Sequence, residues 1–116
     1  MLKNYMLKTD IEKLNKIIDY CDKIDKIINS HNDSKKEYMD DYEFQLATDM
    51  CVFQIGEIAN HISEEFKMKN ANIPWTMIKG MRNIHAHDYE VIDREVMWNT
   101  IKNDILDLKN KLNSIK

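Results

Sequence analysis

The sequence is poor in the residues that make turns. Its 116 residues include two glycines, Gly56 and Gly80, and one proline, Pro74. An all-β fold needs turn residues about every 8–12 positions, so this shortage argues against strands and for a few long helices. Apolar residues make up 43% and charged residues 32% of the chain, which argues against disorder and fits one all-α domain over residues 1–116.

Signals for export or for insertion into a membrane are also missing. The N-terminal residues lack the apolar stretch of a signal peptide, and no apolar run approaches the roughly 18 residues that span a bilayer. The two cysteines, Cys21 and Cys51, each fall among apolar residues at helical spacing, which favours buried thiols over a disulfide. We therefore expect a cytoplasmic protein without a membrane partner.

Positive charge is missing from one segment. Residues 37–65 carry eight acidic side chains and no Lys or Arg, whereas the rest of the chain is mildly basic and the net charge is −3. The net charge alone argues against a nucleic-acid partner. The uneven distribution removes that objection, because a basic groove around residues 67–87 is compatible with the total. The acidic segment then becomes a candidate face turned away from RNA.

Apolar residues recur at steps of three and four in four segments, which predicts an up-and-down bundle of four main helices. The four helices are expected at about Asp10–Asn29, at about Tyr38–Phe66, from Pro74 and from Asp93. Thr9 or Asp10 is expected to cap the first helix by accepting a hydrogen bond from an unpaired N–H.

The second helix is apolar on more than one side. Besides its main stripe it carries a second apolar set, Tyr42, Leu46, Met50 and Phe53. Such a helix is either central in its bundle or in contact with another chain, and both alternatives stay open. On the same helix Glu57 is expected on a solvated face in preference to a pairing with Arg82 across the bundle.

Residues 73–89 concentrate the reactive side chains, with Arg82, His85, His87 and Tyr89 close together. Most positively charged residues of this chain are lysines, so an arginine at this position is informative. Its planar guanidinium can bind a phosphate or carboxylate through two hydrogen bonds, and the alternative is an ordinary ion pair. Histidine titrates near neutral pH and suits proton transfer. His85 and His87 point about 200° apart on a helix, which argues against a metal site.

The spacing of Arg82, His87 and Tyr89 resembles the R-x4-H-x-Y motif of the HEPN superfamily. The run from Ile73-Pro74-Trp75 to Gly80-Met81-Arg82-Asn83 is similar to the HepT branch, the toxins of HepT/MntA toxin–antitoxin pairs, and Gln54-Ile55-Gly56-Glu57 extends the similarity. The resemblance implies a HEPN-type homodimer that is a metal-independent endoribonuclease without a cofactor. It also implies an RNA target in the translation machinery, with tRNA favoured, and a cognate MntA-like nucleotidyltransferase antitoxin that adds AMP to Tyr89.

The residue types fit that chemistry. Arg82 can bind the scissile phosphate and stabilise the charge of the transition state, and His87 can act as general acid or base. Asn83 and His85 are auxiliary candidates. Arg82 and His87 lie about 140° apart on an ideal helix, so either the helix ends or bends near residues 84–86 or a second copy completes the site. We expect a composite site in a homodimer.

Two other classes of function stay open. One is a catalytically silent helical partner or nucleotide-binding subunit of a nucleotidyltransferase, and the other is a helical dimerisation domain. The joint presence of Arg82, His87 and Tyr89 favours the enzyme. For Tyr89, the alternative to modification is a packed ring whose hydroxyl bonds a carbonyl. AMP on this residue would place bulk and negative charge where an RNA phosphate must sit.

Overall fold

The fold consists of helices throughout the part of the chain that is described. A computed structural model describes the backbone of residues 2–115 and the side chains of residues 8–115. The α-helices are α1 (Leu2–Ser30), α2 (Lys35–Asp40), α3 (Tyr42–Asn60), α4 (Glu64–Lys69), α5 (Trp75–His87), α6 (Arg94–Asn99) and α7 (Ile105–Ile115). A 3-10 turn, Tyr89–Val91, follows α5, and a π-helical turn, Thr100–Asp104, joins α6 to α7 as one continuous helix. Residues 2–115 contain no strand, so the predicted all-α class is confirmed.

The predicted four-helix arrangement corresponds to α1, the series α2–α4, α5, and the continuous α6–α7 helix. α1 packs against α3 and α7, and α3 also packs against α5. Every helix contributes buried apolar side chains to the core, the largest being Leu14, Ile17, Ile24, Tyr38, Phe44, Ile55, Ile78, Ile105, Leu108 and Leu112. Cys21 and Cys51 are buried free thiols, as predicted. Within residues 2–115 no helix combines the length and the apolar character needed to cross a membrane.

The prediction of one continuous second helix over Tyr38–Phe66 is wrong. The chain leaves helical geometry at Asp41 and again before Ser63, which separates α2, α3 and α4. The Asp41 carboxylate accepts hydrogen bonds from the backbone N–H groups of Glu43 and Phe44 and caps α3. The hydroxyl of Ser63 caps α4 in the same way. The acidic segment therefore spans three helices.

The expected cap of the first helix is also wrong, because α1 begins at Leu2 and both Thr9 and Asp10 lie in its interior. The buried carboxylate of Asp10 instead accepts hydrogen bonds from the backbone N–H and the hydroxyl of Ser63, at 3.1 and 2.7 Å. Asp10 thus ties the middle of α1 to the beginning of α4.

The second apolar side of α3 faces away from the core. α3 is central, since it packs against both α1 and α5. Yet Tyr42, Leu46 and Met50 are 68%, 48% and 58% exposed, and Phe53 beyond them is half-buried. These four residues, which we call the α3 stripe, are therefore an apolar face that the described chain leaves largely uncovered.

Candidate active site

α5 carries the predicted site residues on two of its sides. The helix runs from Trp75 to His87 without a break, so it does not end near residues 84–86. Arg82 is half-buried and turned towards α3, whereas His87 is exposed at the last turn. On a continuous helix these two side chains point about 140° apart. One copy of the chain therefore does not bring them together on one phosphate.

The side chain of Arg82 is held by two neighbours. Its Nε donates to a carboxylate oxygen of Glu57 on α3, and its Nη1 donates to Oδ1 of Asn83 at 3.2 Å. The guanidinium also lies 5.9 Å from the ring centroid of Phe53. Glu57 is therefore the partner of Arg82 and the expectation of a solvated face residue is wrong. Within residues 8–115, Nη2 of Arg82 has no hydrogen-bond partner, which leaves a donor for a ligand.

Gly56 allows Arg82 to reach this position. A Cβ at residue 56 would lie 2.3 Å from the Cβ of Arg82, far inside van der Waals contact. The glycine thus lets α5 approach α3 closely at the level of Arg82 and Glu57. Two residues of the Gln54–Glu57 run therefore position Arg82. Gly56 leaves room for its side chain, and Glu57 pairs with its guanidinium.

Asp49 of α3 is the most connected polar group near the site, and the sequence did not single it out. Its buried carboxylate accepts hydrogen bonds from Nη1 and Nη2 of Arg94, each at 2.9 Å, and from the hydroxyl of Tyr89 at 2.9 Å. Nε2 of His85 lies 3.3 Å from the same carboxylate. Burial acts to raise the pKa of Asp49, but the hydrogen bonds from His85, Arg94 and Tyr89 outweigh it, and the pKa lies below its ordinary value.

Arg94 joins this cluster to the core. Besides the two-pronged contact with Asp49, its Nη1 donates to the hydroxyl of Tyr38 at 3.0 Å. Burial lowers the pKa of Arg94, but the hydrogen bonds to Asp49 and Tyr38 outweigh that effect and raise it. Arg94 is one of only two arginines in the chain, so the scarcity of arginine distinguishes Arg94 as much as Arg82. Asp49 had no such signal, because an acid in an apolar helix is ordinarily solvated.

His85 belongs to the interior of the protein. Its side chain is 3% exposed, and its Nδ1 lies 2.8 Å from the carbonyl oxygen of Met81. Both ring nitrogens thus face acceptors, Met81 and Asp49, and both contacts are hydrogen bonds when the ring carries two protons. His85 does share the α3-facing side with Arg82, but it is not presented to a substrate. Among residues 8–115, no three His, Cys, Asp or Glu side chains are grouped so as to hold a metal ion.

Tyr89 lies beside His87. Both residues line a shallow depression of about 420 Å³ at the end of α5, formed by residues 86–91. The Tyr89 hydroxyl donates to the Asp49 carboxylate, so the alternative partner, a carbonyl, is wrong. Burial and the hydrogen bond to Asp49 raise the pKa of Tyr89. Tyr89 is 38% exposed, and the Arg94 guanidinium lies 5.7 Å from the centroid of its ring.

Comparison with known proteins gives a family for this arrangement. The model of the family described as "Ribonuclease HepT-like" matches residues 17–115, which contain α3, α5 and both arginines. The chain is 32% identical over 81 residues to "Probable ribonuclease HepT" of Thermococcus cleftensis, covering 70% of this chain and 74% of that protein. It is 28% identical over 102 residues to "Putative RNase MJ1380" of Methanocaldococcus jannaschii, covering 88% and 85%. No solved structure matches. The chain therefore belongs to the HepT-like ribonuclease family.

Proposed function

We propose that this protein is a metal-independent endoribonuclease whose catalytic residues are Arg82 and His87, and that it is the toxin of a toxin–antitoxin pair. The observation that supports the proposal is that α5 holds Arg82 in a fixed position and leaves His87 exposed. Arg82 is anchored through Glu57 and Asn83 with Nη2 left over for a phosphate, and His87 is exposed beside Tyr89. Membership of the HepT-like family supports RNA as the substrate.

The reaction needs one base, one acid and a stabilised phosphorus centre. The base takes the proton of a ribose 2′-OH, the 2′ oxygen bonds to phosphorus, and the bond from phosphorus to the 5′ oxygen breaks as the acid protonates that oxygen. An imidazole can serve at either proton step near neutral pH. Nη2 of Arg82 can donate to the phosphate oxygens as negative charge builds up on them.

A homodimer would supply what one chain lacks. Each chain has one exposed motif histidine, since His85 is buried, whereas the reaction calls for both an acid and a base. The α3 stripe supports a second copy as the occupant of that face, because it is apolar, largely uncovered and ends at Phe53, against which Arg82 lies. A dimer through this stripe brings two Arg82 groups near each other and lets the His87 of one chain serve the Arg82 of the other.

Tyr89 is the proposed site of control by a nucleotidyltransferase antitoxin. Its oxygen would attack the α-phosphorus of ATP, with pyrophosphate leaving and AMP remaining on the phenol. The phenol loses its proton in this step, for which Asp49 is the acceptor already in place, and its oxygen must release the hydrogen bond that it accepts from Nη2 of Arg94 at 3.3 Å. The added phosphodiester would sit in the depression that His87 also lines, and its charge would repel an RNA phosphate there.

We propose tRNA as the favoured target and the cytoplasm as the compartment.

The test compares the wild type with His87→Ala and Arg82→Ala in RNA cleavage, with tRNA and an unrelated RNA as substrates and EDTA present. Loss of a proton-transfer group commonly costs about 10²–10⁴-fold, and loss of a charge-stabilising donor about 10²–10³-fold. His61→Ala removes an exposed histidine at the end of α3 and serves as the control. Equal cleavage by wild type and folded His87→Ala would refute the catalytic assignment, and activity lost in EDTA would refute metal independence.

The same preparations separate the remaining alternatives. Co-expression with an MntA-like nucleotidyltransferase, which the neighbouring gene is expected to encode, should add the mass of AMP to a peptide containing Tyr89, and the modified protein should no longer cleave RNA. An unmodified Tyr89 would contradict the proposed control. A folded protein that cleaves no RNA but binds the nucleotidyltransferase would instead support the silent helical partner.

A further inference from the structure

A cavity at the other end of α5 lies outside the site described so far. It has a volume of about 370 Å³ and is formed where α4 and the end of α3 meet the first turns of α5. Its lining includes Asn60, Glu64, Lys67, Trp75, Thr76 and Lys79. The indole of Trp75 is held in place, because its Nε1–H donates to the carbonyl of Asn70 at 3.0 Å. We call this space the Trp75 cavity.

The Trp75 cavity presents positive charge beside an aromatic ring. Lys79 is exposed and forms no ion pair with any of residues 8–115. Lys67 lies 5.9 Å from the Trp75 ring centroid and pairs with Glu64 at 3.7 Å. That pair is weak, because the Glu64 side chain is 86% exposed. Ammonium groups next to a fixed aromatic ring are the usual means by which proteins hold a single-stranded nucleic acid.

Gly80 connects this cavity to the active site. It lies in the interior of α5, seven residues and therefore nearly two full turns before His87, so it is on the same side of the helix as His87, and it is exposed. A Cβ at this residue would have no atom within 4 Å, and its φ is not positive. Glycine inside a helix is less stable than alanine, and no contact among the described residues requires a glycine here. Gly56, by contrast, is needed for the contact with Arg82.

We infer that a single strand of RNA leaving the active site runs along α5 over Gly80 and binds in the Trp75 cavity. Phosphates of the strand contact Lys79 and Lys67, a base lies against Trp75, and Gly80 lets the sugar–phosphate backbone approach the helix. This inference rests on the proposed function. Lys79 lies about 12 Å from His87 along the helix axis, so a strand that contacts both extends beyond the cleaved phosphodiester. The cavity then governs affinity for RNA, and the chemical step remains with Arg82 and His87.

The experiment measures binding of a labelled single-stranded RNA by fluorescence anisotropy, with His87→Ala as the background so that the RNA stays intact. Adding Lys79→Ala should raise the dissociation constant about fivefold at 0.1 M salt and reduce the slope of log affinity against log salt by about 0.7, the effect of one lost phosphate contact. Lys36→Ala removes an exposed lysine from α2 and should change neither quantity. Gly80→Ala should weaken binding while raising the melting temperature. RNA should also quench tryptophan emission, and Trp75→Phe should abolish the quenching.

The outcomes separate this inference from the proposed function. In the otherwise wild-type enzyme, Lys79→Ala should raise KM and leave kcat unchanged. Unaltered affinity and salt slope in Lys79→Ala together with unaltered affinity in Gly80→Ala would overturn the RNA path along α5. A shift from dimer to monomer in Gly80→Ala, seen by light scattering, would assign this face to a second copy and would also overturn it. Full cleavage by His87→Ala would refute the proposed function, whereas the binding data would still report on the cavity.

Discussion

Gly56→Ala is expected to force α3 and α5 apart. The new Cβ would lie 2.3 Å from Cβ, 2.8 Å from Cγ and 3.3 Å from Cα of Arg82. Carbon atoms pack at about 3.5–4.0 Å, so the helices must separate by about 1 Å at this crossing. The obstructing atoms are the first carbons of the Arg82 side chain and its backbone, which cannot swing away as the end of a flexible chain would.

The size of the effect follows from two opposing contributions. Overpacking costs about 1–3 kcal/mol, and a contact this short belongs at the upper end. Alanine in place of glycine returns about 1 kcal/mol of helix propensity. The net loss is about 2 kcal/mol. With an unfolding entropy of about 2.1 cal/mol/K per residue, a chain of this length should lose about 8 °C in melting temperature. Displacement of Arg82 should also weaken RNA cleavage.

Thermal unfolding followed by circular dichroism and calorimetry would measure this change. Gly80→Ala is the matched control, because the same substitution is made inside a helix where no atom lies within 4 Å of the new carbon. It should gain about 0.5–1 kcal/mol, or roughly 2–4 °C. The two variants should therefore move in opposite directions. If both gain stability by similar amounts, the close approach of α5 to α3 at Arg82 is refuted.

Three further predictions follow from the polar cluster and the α3 stripe. Asp49→Asn should lower the free energy of unfolding by about 3 kcal/mol in a urea titration, since Arg94 loses its buried counterion, and an unchanged value would contradict that role. Because the pKa of Asp49 is lowered on folding, its contribution to the free energy of unfolding is complete above about pH 4 and is lost as the pH falls further. The decrease in stability on acidification should therefore be smaller in Asp49→Asn than in the wild type. Leu46→Glu should give a monomer with little cleavage activity. Leu106→Glu on α7 is the control and should stay dimeric and active, since the two leucines are similarly exposed, at 48% and 46%. A fully active Leu46→Glu monomer would refute the composite site.

Much of the helical architecture could be predicted from the amino-acid sequence. Apolar spacing reports which side of a helix is buried, and it located α1, α3, α5 and the α6–α7 helix. It missed the breaks at Asp41 and Ser63, because the apolar periodicity runs on through both positions and conceals the caps that these residues form. Asp10 was predicted to cap the first helix, but it lies inside that helix and accepts hydrogen bonds from the residue that caps α4. Its hydrogen-bond partner, Ser63, is distant in sequence.

The amino-acid sequence by itself determined the all-α class and the placement of Arg82, His85, His87 and Tyr89 on and just after one helix, since spacing along a chain translates directly into angle around a helix axis. Only the tertiary structure decided which of these groups are free. The close approach of α3 to α5 buries His85 against Asp49, pairs Arg82 with Glu57 and hydrogen-bonds Tyr89 to Asp49, while His87 stays exposed. Burial and charge pairing depend on what a second helix brings to the same place, and that partner can lie anywhere else in the chain.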